Sequence, residues 1–185
     1  MISGRNNNLL LDLKKENNIP ITSFSFLFSE MIQYMLNKSN DEKEFDLEEK
    51  LSSLGYPIGE KILEYCYVYE KNTKRETKIV SMLQFIHNNV WKILFGKQAH
   101  GLQKSTEDED EYRIIEQNPI TNKYIEVQKN SITNCAAFIA GIIEGILNSA
   151  DFRCKVSPFF IENNTKTLYI IKFDKDVINR DNKMK

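Results

Sequence analysis

A chain of 185 residues, 41% of them hydrophobic, is long enough to bury one sizeable core and too short for two ordinary domains to be expected. Its 25 basic side chains nearly balance 26 acidic ones, and a formal charge of -1 gives no global field toward nucleic acid or anionic lipid, although a local basic patch stays open. Cys66, Cys135 and Cys154 are odd in number, widely spaced and without a CxxC pair, which fits reduced thiols in a cytosolic protein better than a disulfide framework or a zinc site.

Residues 1–19 are rich in Asn and Lys, with one small leucine cluster, and are expected to form a mobile arm, leaving residues 20–185 as the single domain. Leu9 to Leu11 is too short an apolar run for a signal peptide. The most apolar later stretch, 138–147, carries Glu144 and has about half of the ~20 residues a membrane span requires. Ile2 stands where myristoylation needs glycine.

Thr22 or Ser23 can cap a helix running to about Lys38, because a hydroxyl there accepts from the first unpaired backbone N–H groups. Its apolar residues Phe24, Leu27, Phe28, Met31, Ile32, Tyr34, Met35 and Leu36 sweep about 200°, twice the stripe that one core needs, so the helix is expected to have two partners. After a charged loop at 41–44, Asp46 can cap a short helix carrying Leu47, Leu51 and Leu54, closed by Gly55 as a left-handed C-cap. Pro57 suits the first turn of a third helix, on which Ile58, Ile62, Cys66 and Tyr69 recur at helical spacing and make Cys66 a core thiol. A fourth helix over 75–95 places Ile79, Leu83, Ile86, Val90 and Ile93 on one face and ends at Gly96; Trp91 and Phe95 fall off that stripe and suggest a second contact surface.

The run STEDEDE at 105–111 reads as an exposed loop. Residues 112–116 and 124–127 read as a hairpin around Asn118-Pro119 and Thr121-Asn122. Asn134 opens a helix, CAAFIAGIIEGIL, in which Ala137, Gly141 and Gly145 recur every four positions and let another backbone approach, as for a helix laid against a sheet. Residues 152–161 and 165–173 form a second hairpin around Asn163-Asn164, with Cys154, Val156 and Phe160 alternating against Arg153, Lys155 and Ser157, and a short charged helix ends the chain. Helices, hairpin, helix, hairpin is the order of an α+β domain whose antiparallel sheet is covered on one face.

Residues that could carry chemistry are few. Of two histidines, His87 sits on the fourth helix, where a packing role competes with catalysis, and His100 follows Gly96; thirteen residues apart and without nearby cysteine, they lack metal-ligand spacing. No phosphate loop, dinucleotide fingerprint or zinc-hydrolase motif occurs. Asp108 to Glu111 could attract a divalent cation, but with no EF-hand pattern and no apolar shelter a solvated loop is the plainer reading. The small basic cluster Lys71, Lys74, Arg75 and Lys78 has no interleaved aromatics and so fits a solvated turn or an acidic partner better than nucleic acid. Glu76 complements a positive helix end.

Seven segments, in order, carry a resemblance to a known family: SFSFLFSE at 23–30, LGYPIG at 54–59, KRETK at 74–78, VWKILFGK at 90–97, YRIIEQNP at 112–119, NKYIEV at 122–127 and NCAAFIAGIIEG at 134–145. Across 23–180 the sequence resembles the small-subunit family of the TRAPP vesicle-tethering complex. The resemblance implies an α/β plait, an antiparallel four-stranded sheet with helices packed on one face. It also implies pairing through the first two helices, for which the expected interface is Phe24, Leu27, Phe28, Met31, Ile32 and Met35 on the first and Leu47 and Leu51 on the second.

The implied role is a non-catalytic scaffold without cofactor or metal. The implied partners are a TRAPP subunit 3-like protein in a heterodimer, other TRAPP subunits and, through the complex, a Rab-type small GTPase. Membrane association would be peripheral, at endoplasmic reticulum and cis-Golgi, with self-dimerisation possible in isolation and no nucleic-acid partner. Subunit 3 carries a fatty acyl group on a cysteine shortly before the R-E-T motif, where this chain has Lys71, whose ammonium cannot form a thioester. An alternative is a homodimer of the same fold that holds a small apolar or acyl ligand, since related domains hold such ligands or haem-like cofactors beneath the covering helices.

Overall fold

The computed structural model of the protein describes residues 19–38, 46–70, 75–123, 133–161 and 165–183. The expected arm up to residue 18, the charged loop at 41–44, Lys71, Lys74 and the expected strand at 124–127 lie outside the described residues. In chain order the elements are α1 (Ile21–Lys38), α2 (Leu47–Glu70), α3 (Ile79–Phe85), a π-turn (Ile86–Val90), α4 (Trp91–Phe95), β1 (Gly101–Lys104), β2 (Glu111–Gln117), α5 (Ala137–Ser149), β3 (Cys154–Ile161), β4 (Lys166–Phe173) and α6 (Lys175–Lys183). The strands form one antiparallel sheet in the order β1-β2-β4-β3, so the fold is the expected α+β one.

Helix α2 corrects the expectation of two helices around Gly55 and Pro57. Asp46 does cap it, its Oδ1 accepting the N–H of Glu48 at 2.9 Å and of Glu49 at 3.3 Å, but the helix then runs unbroken for 24 residues. Gly55 and Gly59 serve close approach to α5: a Cβ on Gly55 would lie 2.1 Å from the Phe138 carbonyl oxygen, and one on Gly59 2.2 Å from that of Ile142. The contact is reciprocal, since a Cβ on Gly141 would lie 2.0 Å from the Ser52 carbonyl oxygen and one on Gly145 2.1 Å from that of Tyr56. The small-residue face of α5 therefore receives α2, where a sheet was expected. Pro57 is tolerated on the exposed side, where water can reach the carbonyl that its missing N–H leaves unpaired.

The expected helix over 75–95 starts later and changes pitch. Arg75, Glu76 and Thr77 precede it, and α3 has no side-chain cap of its own; the Ile79 N–H donates to Asp181 Oδ1 on α6 at 2.9 Å. Arg75 grips the turn after α5 instead, donating to the Ala150 carbonyl at 3.1 Å. The wider turn at Ile86–Val90 shifts the helical phase, which brings Trp91 into the core rather than onto a second surface. There its indole N–H donates to Glu116 and its ring meets Tyr169 edge-on at 5.8 Å. Gly96 ends α4 with φ +70°, the left-handed cap expected of it.

The first hairpin joins β1 and β2, and the acidic loop is its turn; β1 was not foreseen. Within that loop Ser105 is buried, and its Oγ accepts N–H groups from Glu107 and Asp108 at 3.3 Å each. The second hairpin, β3–β4, is the expected one. Tyr112, Ile114, Tyr169, Ile171 and Val156 turn inward and share a core with Met82, Leu83, Ile86 and Trp91 from α3 to α4 and with Ile139, Ile143 and Ile146 from α5. Every residue from Ala137 to Leu147 except Phe138 is buried. Glu144 is kept there by two partners: Oε2 accepts the Val156 N–H at 2.9 Å and Oε1 pairs with Lys155 Nζ at 3.3 Å. Asn148 Oδ1 takes the Cys154 N–H at 3.0 Å and Pro158 has none, so three of the outward N–H positions of β3, at 154, 156 and 158, are unavailable for strand addition.

Candidate functional site: an apolar face on two helices

Helix α1 is held by one side of its wide apolar arc. Phe28 and Ile32 are buried in a small second core with Leu47 and Leu51 of α2 and with Cys135 and Ala137, and Phe24, Met31, Met35 and Phe138 are partly buried around it. The Phe24 and Phe28 rings stack at 5.3 Å, and Phe28 meets Phe138 at 5.4 Å. The other side of the arc is uncovered: Phe26 is 75% exposed, Leu27 72% and Tyr34 67%.

Of the eight interface residues expected from sequence, four are thus enclosed within the chain itself (Phe28, Ile32, Leu47 and Leu51), three lie at the margin (Phe24, Met31 and Met35), and Leu27 stands fully in the open. Along α2, Leu47, Leu51, Leu54 and Ile58 follow at steps of four, three and four, which keeps them on one stripe. Helix α1 covers the first two; Leu54 and Ile58 remain exposed, as does Val68 further along. Phe26, Leu54, Ile58 and Val68, all exposed, lie outside the expected set. The signal for the α2 residues was the unbroken heptad-like spacing, hidden by reading Gly55 as a stop.

Several large apolar side chains thus stand exposed on each of the two helices, a feature common at protein-binding surfaces. Burying each large apolar side chain there is worth about 1.5–3 kcal/mol.

The chemistry-bearing residues are occupied structurally. His87 Nδ1 lies 2.8 Å from Asn88 Oδ1, and His100 Nδ1 accepts the Gln117 N–H at 3.1 Å. Cys66, Cys135 and Cys154 are buried free thiols. Burial, and secondarily the nearby Glu48 carboxylate, pushes the Cys135 thiol up to about 11; burial and then Glu144 raise that of Cys154 too. Neither is a thiolate nucleophile at neutral pH. Among the described residues no three of His, Cys, Asp and Glu come together as a metal-holding group. A groove of about 370 Å³ beside the π-turn, lined by Glu76, Ser81, Gln84, Phe85, Asn88 and Asn89, offers hydrogen-bonding groups without histidine or cysteine. Asp108 pairs with Lys172 at 3.6 Å and Glu111 with Arg113 at 2.6 Å, so the acidic loop is partly neutralised by the sheet. No described helix is long and apolar enough to cross a membrane.

The family model described as transport protein particle (TRAPP) component matches residues 24–174. The trafficking protein particle complex subunit 5 of Dictyostelium discoideum is 50% identical over 173 residues, which cover 91% of this chain and 92% of that protein. The protein of the same name from Homo sapiens is 38% identical over 164 residues, covering 88% and 85%. Among solved structures, a trafficking protein particle complex subunit 3 from Naegleria fowleri, crystallised covalently bound to palmitic acid, superposes with a TM-score of 0.71 over 84% of this chain and 95% of its own, at 14% identity.

Proposed function

Because this chain belongs to the TRAPP component family, and so is a component of a trafficking particle, we propose that it acts there as a non-catalytic scaffold that pairs through α1 and α2 with a subunit 3-like protein. The assembled particle, on this reading, activates a Rab-type small GTPase and tethers vesicles between endoplasmic reticulum and Golgi, and this chain reaches the membrane peripherally, through the complex.

The observation that carries the pairing is the apolar stripe of α2, covered by α1 at Leu47 and Leu51 and then continuing uncovered through Leu54 and Ile58, while α1 itself leaves Leu27 and Tyr34 exposed. A helix from a partner laid along it would complete what α1 begins. The seam runs through Leu27, with Phe24, Met31 and Met35 at its margin and Phe26, Tyr34, Leu54 and Ile58 added; the enclosed Phe28, Ile32, Leu47 and Leu51 support it from behind.

Co-expression with a subunit 3-like protein followed by light scattering on the eluted complex tests the pairing: a one-to-one heterodimer is expected. A chain that stays monomeric at micromolar concentration with or without that partner ends it. For the exchange role, particle reconstituted without this chain is expected to lose integrity and, with it, stimulation of nucleotide release from the GTPase.

A further inference from the structure

The outward face of the sheet departs from the pattern of its inward face. An antiparallel sheet covered on one side ordinarily alternates apolar inward with polar outward. Here the outward residues Ile115, Leu168 and Phe159 stand side by side in register across β2, β4 and β3, and Ile170 adjoins them on β4. Phe159 is 50% exposed, the other three are part-buried, and none of the four belongs to either packed core. One exposed apolar side chain needs no explanation; a contiguous band of four does.

At one end the band meets the row Glu111–Lys172–Lys155, in which Glu111 is buried and bound to Arg113 while both lysines are exposed. Lys155 and Lys172 are direct cross-strand neighbours. The Lys155 side chain is 73% exposed while that of its partner Glu144 is 11% exposed, so solvent meets the ammonium and the carboxylate lies beneath it. Asp108, which pairs with Lys172, sits off the sheet in the β1–β2 turn.

We propose that this face is a second docking surface, and that its occupant is another subunit of the particle presenting an apolar centre with carboxylates placed to meet Lys155 and Lys172. A second copy of this chain fits poorly, because two such faces packed together set lysines against lysines. Lateral pairing along the first part of β3 is opposed by Asn148, Glu144 and Pro158, which favours a partner that comes onto the face. The inference rests on the scaffold reading, yet not on which protein occupies α1 and α2; with two separate apolar faces, the chain joins two neighbours.

The test uses the whole particle, co-expressed and weighed by native mass spectrometry. Phe159→Lys, and independently the milder Phe159→Ser, are expected to leave the partner on α1–α2 in place and to lose one further subunit. Lys155→Glu is expected to weaken that subunit's binding about tenfold in about 0.1 M salt and much less in about 1 M salt, where screening removes the contribution. Leu27→Asp is the control, because it tests the α1–α2 pairing alone. Full particle with unchanged affinity in both Phe159 variants overturns the inference, and so does loss of both neighbours together. If Phe159→Lys instead breaks a self-dimer of the isolated chain, or abolishes flotation with phosphatidylserine-containing vesicles while the particle stays complete, the occupant is a second copy or a membrane and the proposal fails.

Discussion

Helices α1 and α5 are both dominated by apolar residues, and the fold treats them oppositely. Ten of the residues from Ala137 to Leu147 in α5 are buried, with α2 against its glycine face and the sheet beyond, whereas α1 encloses only Phe28 and Ile32 and holds Phe26, Leu27 and Tyr34 out in solvent. Hydrophobicity alone therefore does not say where a helix lies. What separates them is the size of the side chains: Ala137, Gly141 and Gly145 let two backbones come nearly into contact, while the phenylalanines and methionines of α1 keep a neighbour at a distance and leave room for another.

The sharpest break in that comparison is Gly141→Val. A Cβ at this position would lie 2.0 Å from the Ser52 carbonyl oxygen, which is backbone and cannot swing aside, so α2 and α5 must separate along the whole glycine interlock. Overpacking of this kind costs about 4 kcal/mol, at the upper end of such changes, and roughly 8–16 °C in melting temperature for a domain of this size. A calorimetric melt checks it, and a fall of only a degree or two would mean that the helices are not locked as described.

Next comes the pair Phe28→Asp and Leu27→Asp, adjacent residues that test opposite sides of one helix. Phe28→Asp places a carboxylate in the second core and is expected to cost about 3 kcal/mol, bounded because α1 can undock and hydrate the charge. Leu27→Asp should leave the melting temperature within about 1 °C and weaken pairing by about 2 kcal/mol, some thirtyfold in Kd, because it sets a charge in the middle of the seam. Melting and titration calorimetry on both variants read the two quantities separately. Equal effects of both substitutions on stability would erase the distinction between the sides of α1.

How far the sequence displayed this molecule depends on how local each signal was. The β3–β4 hairpin, the Gly96 cap, the Asp46 cap, the buried Cys66 and the outsized arc of α1 all follow from patterns within a few residues of themselves. Gly55 and Pro57 misled because each has two meanings, and what decides between them is α5, some 80 residues away; the matching four-residue spacing of Gly55–Gly59 and Gly141–Gly145 was the available signal. Trp91 was misplaced by a single wide turn, which shifts the phase of everything after it and leaves no mark in composition. Strand β1 has four residues and no β-branched side chain, so only its pairing with β2 defines it. Half of the expected interface set lies inside the chain for a related reason: the arc gave the number of faces on α1, and which residues belong to which face is set by where Leu47, Leu51 and Ala137 sit.

Cys135 lies where the two regions meet, in the core shared by α1, α2 and the start of α5, and it supplies the mildest test. Its thiol is raised in the folded protein to about 11, first by burial and then by Glu48, from an ordinary value of 9.0. The folded state therefore holds its proton more tightly than the unfolded chain, and stability must fall as pH rises through that window: unaffected below pH 9, about 1.4 kcal/mol lower at pH 10, and declining further toward pH 11. Cys154 and the buried Tyr112 and Tyr169 are raised in the same direction, so the total loss at alkaline pH belongs to several groups. Comparison with Cys135→Ala isolates one of them. Near pH 7 the variant should be the less stable protein, having lost a buried side chain, and the gap should close by about 1.4 kcal/mol at pH 10 because alanine has no proton to lose. Hydrogen exchange at pH 9–10 should show the loosening first in α1, which rests on this thiol, while the glycine-locked pair α2–α5 stays protected. A gap that does not change with pH would show that α1 is not seated on a protonated Cys135.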